Sequence, residues 1–136
     1  TDTVISRVSN VLKESLELAY NAGVTEDLVL DPGIGFFRGT GSGVELRDSR
    51  IPWYVWDSEV LKDLEFLREL GRPICIGLSR KSFIGNILNI DDPADRLYGS
   101  LAATAIAVFH GAHLIRTHDV AATVQAIKVA EAIRGK

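Results

Sequence analysis

Apolar residues along the chain occur either at helical spacing or in short continuous runs, a pattern that predicts helices alternating with buried strands. A first helix begins after Asp2 or Thr3, either of which can cap it, and ends before Gly23. The predicted strands are residues 28–30 and 73–78, which are continuously or almost continuously apolar, and residues 112–116, which include His113 and end at Arg116. Helices that alternate with such runs indicate a parallel sheet covered by helices.

The spacing predicts four further helices between and after these runs. One is capped by Asp57 or Ser58 and extends through Leu70, and a short one follows residues 79–82. Another is opened by Pro93 and ends near residue 110, and the last begins after residue 119. A long irregular stretch, residues 35–57, separates the first strand from the second helix. We expect its aromatic residues to pack onto the domain rather than to form a lid.

Size and composition restrict the class of protein. The chain has 136 residues and a formal net charge of −3, which fits one compact domain and argues against non-specific nucleic-acid binding. No apolar run is long enough to span a bilayer and the N-terminus lacks a signal-peptide layout, so no membrane partner and a cytoplasmic location are expected. The single cysteine, Cys75, excludes an internal disulfide and is expected to be buried.

Polar residues follow each predicted strand at the point where it ends. Asp31 follows the first strand, residues 79–82 follow the second, and residues 116–119 end the third. Taken singly, Asp31 is typical of a turn, residues 79–82 of a solvated surface, and His118 with Asp119 of a helix cap. Together they favour a ligand site, because the carboxyl ends of parallel strands meet at one edge of the sheet.

The residue types at these strand ends favour a planar, anionic ligand. Arg116 and His118 can hold phosphate oxygens, and Ser82 lies at a helix start, where backbone N–H groups favour an anion. Asp31 can accept two parallel N–H bonds from an amino-substituted heterocycle. Lys81 can donate to a ring carbonyl or nitrogen.

Four segments of the chain resemble the dihydropteroate synthase family. They are L-D-P-G-I-G-F at residues 30–36, G-L-S-R-K-S-F-I-G at 77–85, R-L-Y-G-S-L-A at 96–102 and G-A-H-L-I-R-T-H-D-V at 111–120. Their order and rough spacing also match the family, and the resemblance covers nearly the whole chain. The S-R-K-S and R-x-H-D-V segments are highly specific to it.

The resemblance implies a fold and an activity. The fold is α/β: residues 1–136 would be a single pterin-binding domain, the C-terminal part of a TIM (β/α)₈ barrel with about three parallel strands and covering helices. It starts at the helix before the sixth strand, so strands one to five are absent. The family is a transferase of folate biosynthesis that joins 6-hydroxymethyl-7,8-dihydropterin diphosphate to p-aminobenzoate, which gives 7,8-dihydropteroate. We expect activity to need the missing N-terminal half.

The resemblance also assigns roles to individual side chains. Asp31 and Lys81 would bind the pterin, and Arg116 and His118 would bind the diphosphate. The p-aminobenzoate would be bound by Phe36, Lys81 and Ser82. Supporting contacts would come from Arg80, Gly33 and Asp119. Mg²⁺ is implied as a cofactor with its ligands on the missing half, so no metal ligand is expected in this chain. The expected protein partner is a second copy, in a homodimer, or an N-terminal half.

Two alternatives remain at this point. One is that the chain is a non-catalytic pterin- or phosphate-binding module, or a folding fragment that assembles with itself. The other is that it is part of a methyltetrahydrofolate-binding methyltransferase barrel with a similar pterin site. Residues 79–82 with Arg116 and His118 suit a diphosphate better than a methyl carrier.

Overall fold

The computed structural model describes residues 2–36 and 50–135. The helices in this part of the chain are α1 (Val4–Asn21), α2 (Trp53–Lys62), α3 (Ser82–Leu88), α4 (Leu97–Phe109) and α5 (Val120–Arg134). The strands are β1 (Cys75–Gly77) and β2 (Leu114–Arg116), and Leu64–Leu70 and Pro93–Asp95 form 3₁₀ helices. The predicted α/β class is confirmed.

The sheet is parallel, and it is smaller than predicted. β1 pairs with β2 in a register that places Cys75 beside Leu114 and Gly77 beside Arg116. In place of a first strand at residues 28–30, Leu30 alone forms a parallel bridge with Ile74. The prediction of a full strand there is wrong, because Asp27 has a left-handed backbone (φ 58°) immediately before the run and a proline follows Asp31.

The second helix starts earlier than predicted and changes type. α2 begins at Trp53, directly after Pro52, and the chain continues beyond Asp63 as the 3₁₀ helix Leu64–Leu70. Asp57 therefore lies inside α2 and caps nothing. Of the predicted irregular stretch, residues 37–49 lie outside the described part of the chain. Trp56 is fully buried, which confirms that this aromatic residue packs against the domain.

The first helix follows its sequence signals closely. The Thr3 hydroxyl accepts a hydrogen bond from the Ser6 amide at 3.2 Å, and the Ser6 hydroxyl accepts one from the Thr3 amide at 2.9 Å. This reciprocal capping box satisfies two N–H groups at the start of the helix. Gly23, with φ of 89°, follows the end of the helix as predicted.

The core lies between the helices and the sheet. Ile76 and Leu78, in and just after β1, are fully buried, as are Val60 of α2 and Leu67 of the first 3₁₀ helix. Cys75, expected to be buried, is only partly so. None of the helices in the described residues is long and apolar enough to cross a bilayer.

Candidate functional site

The strand ends bring the predicted site residues together at one edge of the sheet. Arg116, the last residue of β2, places Nη2 2.6 Å from Oδ2 of Asp31, which follows the Leu30 bridge. His118 Nδ1 lies 3.1 Å from the hydroxyl of Ser79, just beyond β1. Residues 31, 79, 116 and 118 are thus neighbours in space although up to 87 positions apart in sequence.

Asp31 has two local partners, one on each carboxylate oxygen. Oδ1 accepts a hydrogen bond from the Gly33 amide at 2.8 Å, the turn contact expected of an aspartate before Pro-Gly. Oδ2 accepts from Arg116. The guanidinium of Arg116 lies against Gly77, where a β-carbon would come within 2.9 Å of Nη2. A glycine at the end of β1 therefore allows this approach.

Lys81 lies across the middle of the site. Its ammonium donates to the Ile34 carbonyl at 2.5 Å and lies 5.6 Å from the centre of the Phe36 ring. Its methylene stem packs on Gly35, whose φ is 90° and whose added β-carbon would lie 3.1 Å from Cδ. Burial and then the charge of Arg116 lower the pKa of Lys81, while Asp31 and Asp57 oppose this.

Asp57, which the sequence pattern predicted to be a helix cap, contacts this site through Gly35. Its side chain is 1% exposed, and Oδ1 accepts a hydrogen bond from the Gly35 amide at 3.2 Å. Burial raises the pKa of Asp57 to about 6, against the opposing effects of that hydrogen bond and of Lys81. The available signal was its position on the apolar face of α2, next to Trp56 and three residues before Val60.

Arg80 makes contacts of a different kind. Its guanidinium donates to both carboxylate oxygens of Asp119, at 2.9 and 2.7 Å, and to the Ala94 carbonyl at 2.9 Å. The hydrogen bonds from Arg80 lower the pKa of Asp119. Asp119 precedes α5 but makes no side-chain hydrogen bond that caps it, so its partner is Arg80 rather than the helix.

Arg96 fixes the same side of the site, and only the family resemblance had marked its segment. Its guanidinium donates to the carbonyls of Ile90, Arg80 and Asp91, at 3.1, 3.1 and 2.6 Å. It lies flat on Gly85, where a β-carbon would come within 2.5 Å. Together these contacts hold the loop after β1 to the segment before α4.

Two cavities meet at Lys81 and share Phe36 and Ser79. One, of about 400 Å³, extends past Ser82 and Trp53. The other, of about 320 Å³, is lined by Arg116 and His118. A larger groove of about 450 Å³ between α2, α3 and α4 is apolar and contains none of the predicted site residues. The structure therefore places Phe36, Ser82 and Lys81 around one space, and Arg116, His118 and Lys81 around the other.

The donor set at this edge does not fit a magnesium ion. Among residues 2–36 and 50–135, no group of three or more histidine, cysteine or acidic side chains is arranged to hold a metal. Asp31, the carboxylate nearest to Arg116, is already ion-paired with it, and the other side chains facing that cavity are cationic or neutral.

Comparison with known proteins gives the family. Residues 1–118 match the model of a family described as "Pterin binding enzyme". This chain belongs to the pterin-binding enzyme family. Among curated members, the chain is similar to dihydropteroate synthase of Escherichia coli K12, with 38% identity over 132 residues that make up 96% of this chain and 42% of that protein.

Solved structures of pterin-binding enzymes have the same local fold. One is a Coxiella burnetii dihydropteroate synthase in complex with pteroic acid, with a TM-score of 0.81, 38% identity, and coverage of 98% of this chain and 46% of that one. Another is the Xanthomonas albilineans enzyme with 4-aminobenzoic acid, with a TM-score of 0.83, 36% identity, and coverage of 100% and 45%. The chain thus spans less than half the length of each of these three relatives.

Proposed function

We propose that this chain forms the C-terminal part of a dihydropteroate synthase, which joins 6-hydroxymethyl-7,8-dihydropterin diphosphate to p-aminobenzoate. The observation that carries the proposal is the pair of cavities that meet at Lys81. One has the cations that suit a diphosphate, and the other has the aromatic wall that suits an aryl amine. The two solved relatives, one in complex with pteroic acid and one with 4-aminobenzoic acid, support a site for these two kinds of ligand.

In this proposal, the residues act by position and charge. Asp31 accepts N–H bonds from the pterin, and Lys81 donates to its ring. When the bond between the pterin methylene carbon and the diphosphate oxygen breaks, its electron pair leaves with the diphosphate. Arg116 and His118 stabilise that charge in place. The amine of p-aminobenzoate, held beside Phe36 and Ser82, then forms the new C–N bond and releases a proton.

The ion pair between Asp31 and Arg116 must open before Asp31 can bind the pterin and Arg116 the diphosphate. Their side chains are 37% and 59% exposed, and an exposed pair contributes only about 0–1 kcal/mol. Binding of the diphosphate to Arg116 and of the pterin to Asp31 therefore breaks the ion pair with little loss of free energy. The pair keeps both side chains directed into the site when no ligand is bound.

The parallel bridge at Leu30, β1 and β2 form consecutive parts of a parallel sheet. We infer that they correspond to the last three strands of a (β/α)₈ barrel, with the remaining strands supplied by another segment or chain. Mg²⁺, which the resemblance implies, would then be held by that other part. No step described above depends on it.

The test is dihydropteroate formation by this chain alone and after addition of the N-terminal half of a relative's barrel. We expect turnover only in the reconstituted pair, and pteroic acid binding that strengthens on reconstitution. Absence of both turnover and pterin binding in the pair would overturn the proposal. Tight binding of methyltetrahydrofolate, with none of the pterin diphosphate, would favour a methyltransferase barrel.

A further inference from the structure

We propose that Asp57 is a positioning residue of the pterin site, which fixes the turn at residues 34–36 against Lys81 through the Gly35 amide. The inference rests on the proposed function, because it concerns the geometry of the same site. Asp57 is 1% exposed and is itself absent from the residues that line the two cavities. Its carboxylate reaches the site through the amide of Gly35, which belongs to the wall of one of them.

The first step of the argument is the link between α2 and the turn. The Gly35 amide donates to Asp57 Oδ1 at 3.2 Å across 22 positions of sequence. Gly35 has a left-handed backbone, with φ of 90°, so the direction of its N–H is set by an unusual conformation. A buried acceptor aligned with that N–H selects this conformation over others that are open to glycine.

The second step leads from the turn to Lys81. The carbonyl of Ile34, one residue before Gly35, accepts the ammonium of Lys81, and the backbone of Gly35 supports the lysine stem. A rotation of the turn would move both contacts together. Asp57 therefore determines the position of Lys81 although the two side chains belong to different elements.

The third step is charge. Lys81 lowers the pKa of Asp57, and Asp57 raises that of Lys81, so the two groups interact electrostatically. Lys81 is also acted on by Arg116, which lowers its pKa, and by Asp31, which raises it. A carboxylate beneath the turn thus favours the ammonium form of Lys81, the form that donates hydrogen bonds to a ligand.

The test compares Asp57→Asn, which keeps an acceptor and removes the charge, with Asp57→Leu, which removes both. Glu59→Gln is the matched control, because Glu59 is an acidic residue of the same helix whose ion-pair partner is Lys62. Pteroic acid, titrated by fluorescence, serves as the probe. We expect Asp57→Leu to weaken its binding about tenfold, Asp57→Asn to restore most of the affinity, and Glu59→Gln to have no effect.

Nuclear magnetic resonance measures two quantities that should stay constant if Asp57 only stabilises the fold: the pH dependence of the Gly35 amide shift and the pKa of Lys81. In the wild type, the chemical shift of the Gly35 amide should change with pH, with a midpoint at the pKa of Asp57, about 6. This pH dependence should disappear in Asp57→Asn. The pKa of the Lys81 ammonium, followed at its ε-carbon, should fall in Asp57→Asn and stay constant in Glu59→Gln.

The two readouts separate failure of this inference from failure of the proposed function. If the Gly35 and Lys81 signals are the same in Asp57→Asn as in the wild type, the positioning role is overturned. If those signals change as expected but the wild type binds no pteroic acid, the positioning stands and the proposed function fails. If Asp57→Leu does not fold, the signals of Asp57→Asn still decide.

Discussion

Two arginines at the same edge of the sheet are used in different ways. Arg80 donates to both oxygens of Asp119 and to two backbone carbonyls, and its side chain is 27% exposed. Within residues 2–36 and 50–135, Arg116 has one ion-pair partner, Asp31, and its side chain is 59% exposed. We call Arg80, Arg96 and Asp119 the fixed cluster, and Asp31, Lys81 and Arg116 the open cluster.

The difference shows how one residue type serves both the fold and the ligand. A guanidinium with several partners at fixed directions is committed to the structure around it. One with a single exposed partner can exchange that partner for a phosphate at little cost. Residue type alone does not separate the two cases, because Arg116 ends one strand and Arg80 lies three residues beyond the end of the other. The number and burial of the partners separate them.

The largest expected effect concerns the carboxylate beneath the open cluster. The pKa of Asp57 is about 6 in the folded chain, and its ordinary value is 3.8. The folded state therefore binds the proton of Asp57 more tightly than the unfolded state does. The protonated form of Asp57 thus stabilises the fold at pH 4, and this contribution to the free energy of unfolding is lost as the pH rises through 6. Asp57→Asn does not titrate, so its stability relative to the wild type should increase from pH 4 to pH 7 by at most about 3 kcal/mol.

Urea unfolding at the two pH values measures this difference. Glu59→Gln, on the same helix, is the control whose stability relative to the wild type should change little. An equal gap between Asp57→Asn and the wild type at both pH values would show that Asp57 is not buried as described.

The next effect tests the fixed cluster. A β-carbon on Gly85 would overlap the guanidinium of Arg96, which three carbonyls hold in place. Gly85→Ala should therefore lower the free energy of unfolding by about 1–3 kcal/mol in urea titrations. The double variant Gly85→Ala/Arg96→Ala should show less than the sum of the single losses. Simple additivity would mean that the two residues do not contact each other.

A smaller effect tests the open cluster. Arg116→Ala should weaken binding of inorganic pyrophosphate, measured by calorimetry, by about tenfold, since a charge-assisted hydrogen bond is lost. Its free energy of unfolding should change by less than about 1 kcal/mol, because the pair is exposed. Arg7→Ala, which breaks the 2.6 Å ion pair between Arg7 of α1 and Asp2, removes the same charge at a residue that lines neither cavity. Equal loss of pyrophosphate binding in both variants would indicate a general charge effect.

The smallest effect compares the two arginines directly by replacement with lysine. Arg80→Lys keeps the charge and loses the two-pronged geometry on Asp119, so the thermal midpoint should fall measurably. Arg116→Lys should leave the midpoint nearly unchanged, because Asp31 binds through one oxygen only. Equal thermal midpoints for the two variants would contradict the distinction between the fixed and the open cluster.

The sequence was sufficient where the signals are local. Thr3 and Gly23 bound α1 as predicted, and the apolar runs around Ile76 and Ile115 form the parallel sheet. The strand-end rule correctly brought Asp31 and Arg116 to one edge, because it depends only on strands being parallel. The family motifs identified the same edge from residue identity alone.

The sequence was insufficient where the outcome depends on contacts between distant segments. The burial of Asp57 depends on a turn 22 residues earlier lying above α2. The pairing of Arg80 with Asp119 joins two loops that are 39 positions apart in sequence. The reduction of residues 28–30 to one bridge reflects the backbone of Asp27, which propensity does not specify.

The bridge at Leu30 links local order to recognition. Two hydrogen bonds join it to the sheet: from the Leu30 amide to the Pro73 carbonyl at 2.8 Å, and from the Cys75 amide to the Leu30 carbonyl at 2.7 Å. If they open, the Asp31 carboxylate, the Ile34 carbonyl and the Gly35 amide lose their placement together, while β1 and β2 stay paired. Such small openings require less free energy than global unfolding. A ligand held by Asp31 should therefore slow hydrogen exchange of the Cys75 amide, although Cys75 is no part of the candidate site.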